Sequence, residues 1–134
     1  KNLYDVDVYA SSDAVDIAND KNYNLAFDYD ALNVPIDIYL NDDEIINDFN
    51  IKAIKTPGHS LDSISYIVGD VLFSGDTLFK LSIGRTDFPG GDYATIINSI
   101  SEKYGVLNPE MVVYPGHGEK TTLDYEFNNN PFLM

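Results

Sequence analysis

Val71-Leu72-Phe73-Ser74-Gly75-Asp76-Thr77-Leu78-Phe79 opens as a strand and closes as a turn. Val71, Leu72 and Phe73 are apolar and suit a buried sheet position. Ser74-Gly75 is a small-residue break that delivers Asp76 to the sheet edge. A carboxylate at the end of a buried strand is costly unless it is hydrogen-bonded, paired or bound to a metal. Two other stretches repeat the design. Ala53-Ile54-Lys55-Thr56-Pro57-Gly58-His59-Ser60 is a strand, a Pro-Gly turn and a histidine, and Met111-Val112-Val113-Tyr114-Pro115-Gly116-His117-Gly118 is the same again. These hold the chain's 2 histidines. Taken singly, an Asp after Ser-Gly reads as a turn residue or helix cap, and a His after Pro-Gly as a loop residue. Three such strand ends carrying His, Asp and His point instead to a metal rim, because zinc and iron accept imidazole and carboxylate.

The composition bounds what such a rim can serve. At 134 residues the chain has the size of one domain, with a hydrophobic fraction of 44% that is ordinary for a globular protein. Its 22 acidic residues against 8 basic ones give a net charge of −14, which argues against nucleic acid or an anionic membrane as partner. The acidic residues are spread (Asp5, Asp7, Asp13, Asp16, Asp20) and read as a solvated surface. No apolar run approaches the ~20 residues of a membrane helix. The absence of cysteine rules out disulfides, thiolate nucleophiles and cysteine-based zinc sites, and it fits a cytoplasmic protein.

The periodicity predicts one α/β unit. Val6-Asp7-Val8-Tyr9 alternates as a strand, and Ser11-Ser12-Asp13 caps a short helix over Asp13–Asn19. Asp20–Pro35 is polar and irregular. Its Asp28-Tyr29-Asp30 cluster lacks the glycine and closing glutamate of a calcium loop. Ile36–Leu40 and Ile51–Thr56 are predicted strands, and Ser63–Val68 pairs with Val71–Ser74 through Gly69-Asp70. Phe79–Gly91 is a Gly- and Pro-rich loop. Asp92 caps a helix running to about Tyr104, with Ala94, Ile96, Ile97 and Ile100 on its apolar side. Met111–Tyr114 is the strand before His117, and Thr121-Thr122 opens a last helix around Leu123–Asn128. Strand ends on a common edge are where such folds place their sites.

Thr56-Pro57-Gly58-His59-Ser60, Ser74-Gly75-Asp76-Thr77-Leu78-Phe79 and Pro115-Gly116-His117-Gly118 resemble the later metal-binding motifs of the metallo-β-lactamase superfamily. Its glyoxalase II-like hydrolases are the branch most resembled. Residues 83–92, Ile-Gly-Arg-Thr-Asp-Phe-Pro-Gly-Gly-Asp, are similar to a loop of its short, single-domain members, as is the ending Thr121-Thr122…Glu126…Asn130-Pro131-Phe132-Leu133. The resemblance runs from about Val8 to the end. It implies an αββα sandwich of two similar halves, with metals at the sheet edge between them. It makes His59 a ligand of the first metal, His117 a ligand of the second, and Asp76 the carboxylate bridging both. Two zinc ions per complete site are implied, with iron or manganese as substitutes. A metal-bound hydroxide would then attack a thioester such as an S-2-hydroxyacylglutathione, while the metals hold the oxyanion. Arg85 stands where relatives place a cation for the carboxylate of a glutathione-like thiol, a role the guanidinium fork suits.

The family's first motif, HxHxDH, has no counterpart upstream of His59. The resemblance therefore implies that residues 1–134 are the C-terminal portion of the domain: one mixed sheet with flanking helices. Each metal would keep two of its ligands here, where a catalytic zinc takes about three. The chain alone is accordingly expected to be inactive, and to associate with the N-terminal half or with itself. Two other readings remain at this level. One is an iron-dependent persulfide dioxygenase, whose members also carry a Gly-Arg-Thr-Asp-Phe loop. The other is a non-catalytic half-domain that serves as a binding module.

Overall fold

The computed structural model describes residues 6–18, 20, 35–46 and 49–134. The expected irregular stretch Asp20–Pro35, with its acidic cluster, lies outside them except at its two ends. The framework is a mixed sheet of six strands. In chain order these are β3 (Ile45–Ile46), β4 (Ile51–Lys55), β5 (Ile64–Val68), β6 (Val71–Gly75), β9 (Val112–Pro115) and β10 (Thr121–Thr122), arranged β10-β9-β6-β5-β4-β3. Pairing is antiparallel except between β6 and β9, which run parallel. A parallel pair needs a crossover. Here the crossover contains the small hairpin β7 (Leu78–Phe79) and β8 (Ser82–Ile83), then helix α1 (Tyr93–Ser99). β4, β6 and β9 thus bring the ends that carry His59, Asp76 and His117 to one edge of one sheet, as the three repeated motifs predict.

Outside this sheet, β1 (Tyr9–Ser11) and β2 (Ile38–Leu40) form a separate parallel pair. β1 begins where the alternating Val6–Tyr9 pattern was expected to end. The helix predicted over Asp13–Asn19 is a short 3₁₀ turn, Ser12–Val15, capped by Ser11 Oγ.

Two helices cover one sheet face. Asp92 caps α1 by accepting from the Thr95 backbone amide at 2.7 Å. The helical run reaches Tyr104 as expected, but Ile100–Tyr104 is wound as a π-helix. That winding leaves both Ile100 and Tyr104 fully buried. The core joins Ile54, Leu72 and Val113 from the sheet to Ile96, Ile100 and Tyr104, with Leu123 from helix α2 (Leu123–Asn129).

Among the described residues the other sheet face is left exposed around Phe73, and strand alternation decides which residues reach it. Of the three apolar residues that begin β6, Leu72 is in the core, whereas Phe73 is 44% exposed. Ile54, Leu72 and Val113 are buried under the helices, whereas Phe73 lies on the uncovered side. Phe73 stacks on Tyr114 at 5.9 Å. With Tyr9, Phe49 and Tyr66 it borders an apolar hollow of about 490 Å³. No helix among the described residues is long and apolar enough to cross a membrane.

Candidate metal centre

The His59 loop is seated by backbone contacts. After β4, the Thr56 amide donates to Ser63 O at 2.9 Å, and Pro57-Gly58 turns the chain over the start of α1. The Asp92 amide donates to Gly58 O at 2.8 Å, and Ser99 Oγ donates to Pro57 O at 2.7 Å. Gly58 has φ +133°, and a Cβ there would stand 2.3 Å from Ile96 N, so only glycine lets the turn lie against the helix. The imidazole is oriented by a bond the sequence did not announce. His59 Nδ1 lies 2.9 Å from Arg85 O. A carbonyl can only accept, so Nδ1 carries the proton and Nε2 presents its lone pair outward, the arrangement that metal-binding histidines use.

Asp76 leaves β6 through Gly75, at φ +54°, where the β6–β9 register shifts. Its Oδ1 accepts from His117 Nδ1 at 2.9 Å, and its Oδ2 lies 3.7 Å from His59 Nε2. Room for the carboxylate depends on two glycines. A Cβ on Gly116 would stand 2.4 Å from Asp76 Oδ1, and one on Gly84 would stand 1.7 Å from Asp76 O. Sequence reasoning placed Gly116 in a turn and Gly84 in a loop, and missed that each makes space for Asp76.

His117 is the exposed member, with its ring edge-on to Phe79 at 6.1 Å. All three expected ligands are therefore brought together around Asp76. Their grouping is paired rather than closed. Among the described residues, no set of three or more His, Cys, Asp or Glu side chains is arranged to hold a metal ion. One carboxylate with an imidazole at each oxygen suits a shared, partial centre. The donor types fit zinc or iron, and the donor number falls short of the three that catalytic zinc takes.

Beneath the rim, a buried chain of hydroxyls ties the loops together. Thr56 Oγ1 lies 2.9 Å from Ser65 Oγ and 3.2 Å from Thr77 Oγ1, and Ser65 Oγ is 2.7 Å from Tyr104 OH. Thr56 precedes the His59 turn and Thr77 follows Asp76, so this network fixes the distance between the two candidate ligands. Burial pushes the Tyr104 phenol up to about 12, against the opposing pull of its hydroxyl partners.

Arg85 is also at the rim, beyond β8, but its fork is engaged locally. Nε and Nη2 each donate to a separate oxygen of Asp87 at 2.7 Å, and the guanidinium lies 3.5 Å over the Phe88 ring. The Arg85 hydrogen bond, with help from the Asp87 backbone, holds the Asp87 carboxyl at about 2. Because that value is depressed, the pairing is complete above the ordinary aspartate range, near 4. It is lost only as pH falls toward 2.

Comparison with known proteins gives concordant matches. The family described as Metallo-beta-lactamase superfamily matches residues 2–117. Hydroxyacylglutathione hydrolase GloC of Haemophilus influenzae is 44% identical over 90 residues, which take in 66% of this chain and 42% of that protein. The probable metallo-hydrolase YqgX of Bacillus subtilis is also 44% identical over 90 residues, 66% of this chain and 43% of that one. The chain thus aligns with less than half the length of these curated relatives. Among solved structures, the BLEG-1 B3 metallo-beta-lactamase aligns with a TM-score of 0.86 at 34% identity, covering 98% of this chain and 67% of that one. The di-iron-bound form of TTHA1623 aligns with a TM-score of 0.83 at 30% identity and the same coverages.

Proposed function

From the premise that this chain belongs to the metallo-beta-lactamase superfamily, we propose that it supplies one part of the active site of a metal-dependent thioester hydrolase. The substrate class is a small-molecule thioester of the S-2-hydroxyacylglutathione type. The observation that carries the reading is Asp76 between two imidazoles, 2.9 Å from His117 Nδ1 and 3.7 Å from His59 Nε2. The likeness to GloC supports the substrate class.

In this reading His59, Asp76 and His117 would hold the metal, Asp76 facing both imidazoles. Zinc is our first choice, and the likeness to a di-iron protein keeps iron open. A divalent ion there supplies Lewis acidity toward the thioester carbonyl and lowers the pKa of water. The chain's own residues do the positioning. The Arg85 carbonyl keeps the proton on His59 Nδ1, so Nε2 stays free to bind. The π-wound segment and its hydroxyl chain hold the Asp76 turn against the His59 turn. Arg85 turns its remaining donors to the carboxylate of the thiol carrier, while Asp87 and Phe88 brace it. In the assembled enzyme, Arg85→Ala is expected to raise KM for a glutathione thioester about tenfold, with kcat little changed, as for one lost charge-assisted contact. An unchanged KM in steady-state assays would make Arg85 a local brace only.

The remaining ligands we assign to a segment bearing HxHxDH, supplied in the same polypeptide or as a second one. Its seat is the open sheet face around Phe73. The test is hydrolysis of S-lactoylglutathione at equal zinc, with and without that segment. The 134-residue chain alone should show no turnover, bind zinc weakly at no more than one equivalent, and sediment above its monomer mass of 14.9 kDa. Adding the segment should bring metal binding and hydrolysis together. Turnover by the lone monomer would overturn the ligand argument. Metal uptake without hydrolysis on addition would favour a non-catalytic binding module.

A further inference from the structure

The C-terminal run Thr121-Thr122…Glu126…Asn130 has no part in the centre described so far, although it holds a fully buried carboxylate. Glu126 has no exposed surface, and it accepts from three donors. The Leu81 backbone amide and Asn130 Nδ2 donate to Oε2, each at 2.8 Å, and Thr121 Oγ1 donates to Oε1 at 2.6 Å. Asn130, also fully buried, donates from Nδ2 to Ser82 O at 3.1 Å. Two side chains of α2 and its cap thus grip the tip of the β7–β8 hairpin on both its amide and its carbonyl side. Leu81 stands at that tip with φ +57°, a left-handed conformation that is strained for a non-glycine residue. It persists only if its surroundings impose it, and Glu126 holds the amide that does so.

The hairpin is the direct link between the candidate ligands. It begins two residues after Asp76 and ends just before Gly84, which packs on the Asp76 carbonyl, and Arg85, whose carbonyl holds His59 Nδ1. We propose that Glu126 is a positioning residue. By clamping Leu81 from within the core, it sets the hairpin that orients Asp76 on one side and His59 on the other. Its effect on metal rests on the function proposed above, whereas its effect on the hairpin does not.

The experiment compares Glu126→Met, which removes all three acceptor contacts at similar volume, with Glu126→Gln. Glutamine keeps an oxygen for Leu81 and Asn130, and Thr121 can turn to accept from its amide. Hydrogen exchange on the 134-residue chain reads the Leu81 amide and the Gly84 amide, which donates to Thr77 O across the hairpin. In Glu126→Met both amides should exchange at least about tenfold faster, while the Ile96 and Ile100 amides change much less. Glutamine should restore most of that protection. With the HxHxDH segment added, cobalt affinity should fall tenfold or more in the methionine variant and recover in the glutamine one, the size of loss seen when an outer partner of a ligand is removed. If Glu126→Met does not fold, Thr121→Val removes a single donor and should give the same pattern at smaller amplitude. Exchange that rises equally in α1 and the hairpin would reduce Glu126 to general stability and overturn the proposal. So would a hairpin whose protection is unchanged. Failure of every variant and the wild type to bind cobalt would count against the proposed function, leaving the exchange result to decide the clamp.

Discussion

Asp76→Ala is expected to lower kcat/KM for a thioester by about a thousandfold or more in the assembled enzyme, equivalent to about 4 kcal/mol of transition-state stabilisation. Among the described residues Asp76 is the one side chain that faces both imidazoles, with Oδ1 at 2.9 Å from His117 and Oδ2 at 3.7 Å from His59. Removing it leaves His59 and His117 with no donor in common among the described residues. The Thr77 amide still donates to Ser74 O and the Gly116 amide to Gly75 O, so the backbone around the position is held independently. The side chain is partly exposed, and the folded state should lose little with it. Circular dichroism should therefore show a melting temperature within a few degrees of wild type, while metal content falls. Asp76→Asn separates shape from charge. It can still accept from His117, and it should nonetheless lose most of the metal. Retention of activity to within tenfold, with full metal content, would remove Asp76 from the centre.

Gly84→Ala should be strongly destabilising. The new Cβ would stand 1.7 Å from Asp76 O, 2.9 Å from its carbonyl carbon and 3.3 Å from His59 Cβ. The first two are backbone atoms and cannot turn away. Relief requires the Asp76 turn or the Ile83–Arg85 strand exit to move. We expect a loss of about 4 kcal/mol, at the diagnostic end of single substitutions. For a chain of this size that corresponds to a fall of roughly 10–20 °C in melting temperature. Any variant that survives should lose metal, because the same shift displaces the Asp76 carboxylate and the Arg85 carbonyl on His59. Gly69→Ala is the control. Gly69 has φ +57° but nothing within 4 Å of an added Cβ, so it should cost only about 1 kcal/mol of backbone strain. A Gly84→Ala protein that melts with wild type would show that the two loops are not in contact.

The sequence by itself determined the strands that matter and the residues at their ends. β4, β5, β6 and β9 were legible because each carries several β-branched or aromatic residues bounded by Gly, Pro or Asp, and such runs form strands in most surroundings. Asp92 and Thr122 were legible as helix caps because a cap is a local bond, made three residues ahead in the chain. The candidate ligands were legible through repetition, since three strand ends carried chemistry at the same place.

What only the tertiary structure decided concerns faces, short pairings and long-range contact. Phe73 reads as core and lies on the open face, because alternation tells which residues share a side but not which side the helices will cover. The two-residue strands β7, β8 and β10 have no pattern of their own and exist through their partners. Phe79-Lys80-Leu81 reads as loop until Ser82 and Ile83 fold back to pair with Leu78 and Phe79. The π-wound segment Ile100–Tyr104 brings Tyr104 to the buried hydroxyl chain, which joins residues up to 39 positions apart. Glu126 and Leu81 are 45 positions apart, and Gly84 serves Asp76 only because the hairpin returns the chain to it. A residue type and its neighbours set local conformation and donor chemistry. Which distant carbonyl, amide or ring it meets is set by the packing of whole elements, and there the orientation of His59, the room around Asp76 and the clamp on the hairpin were decided.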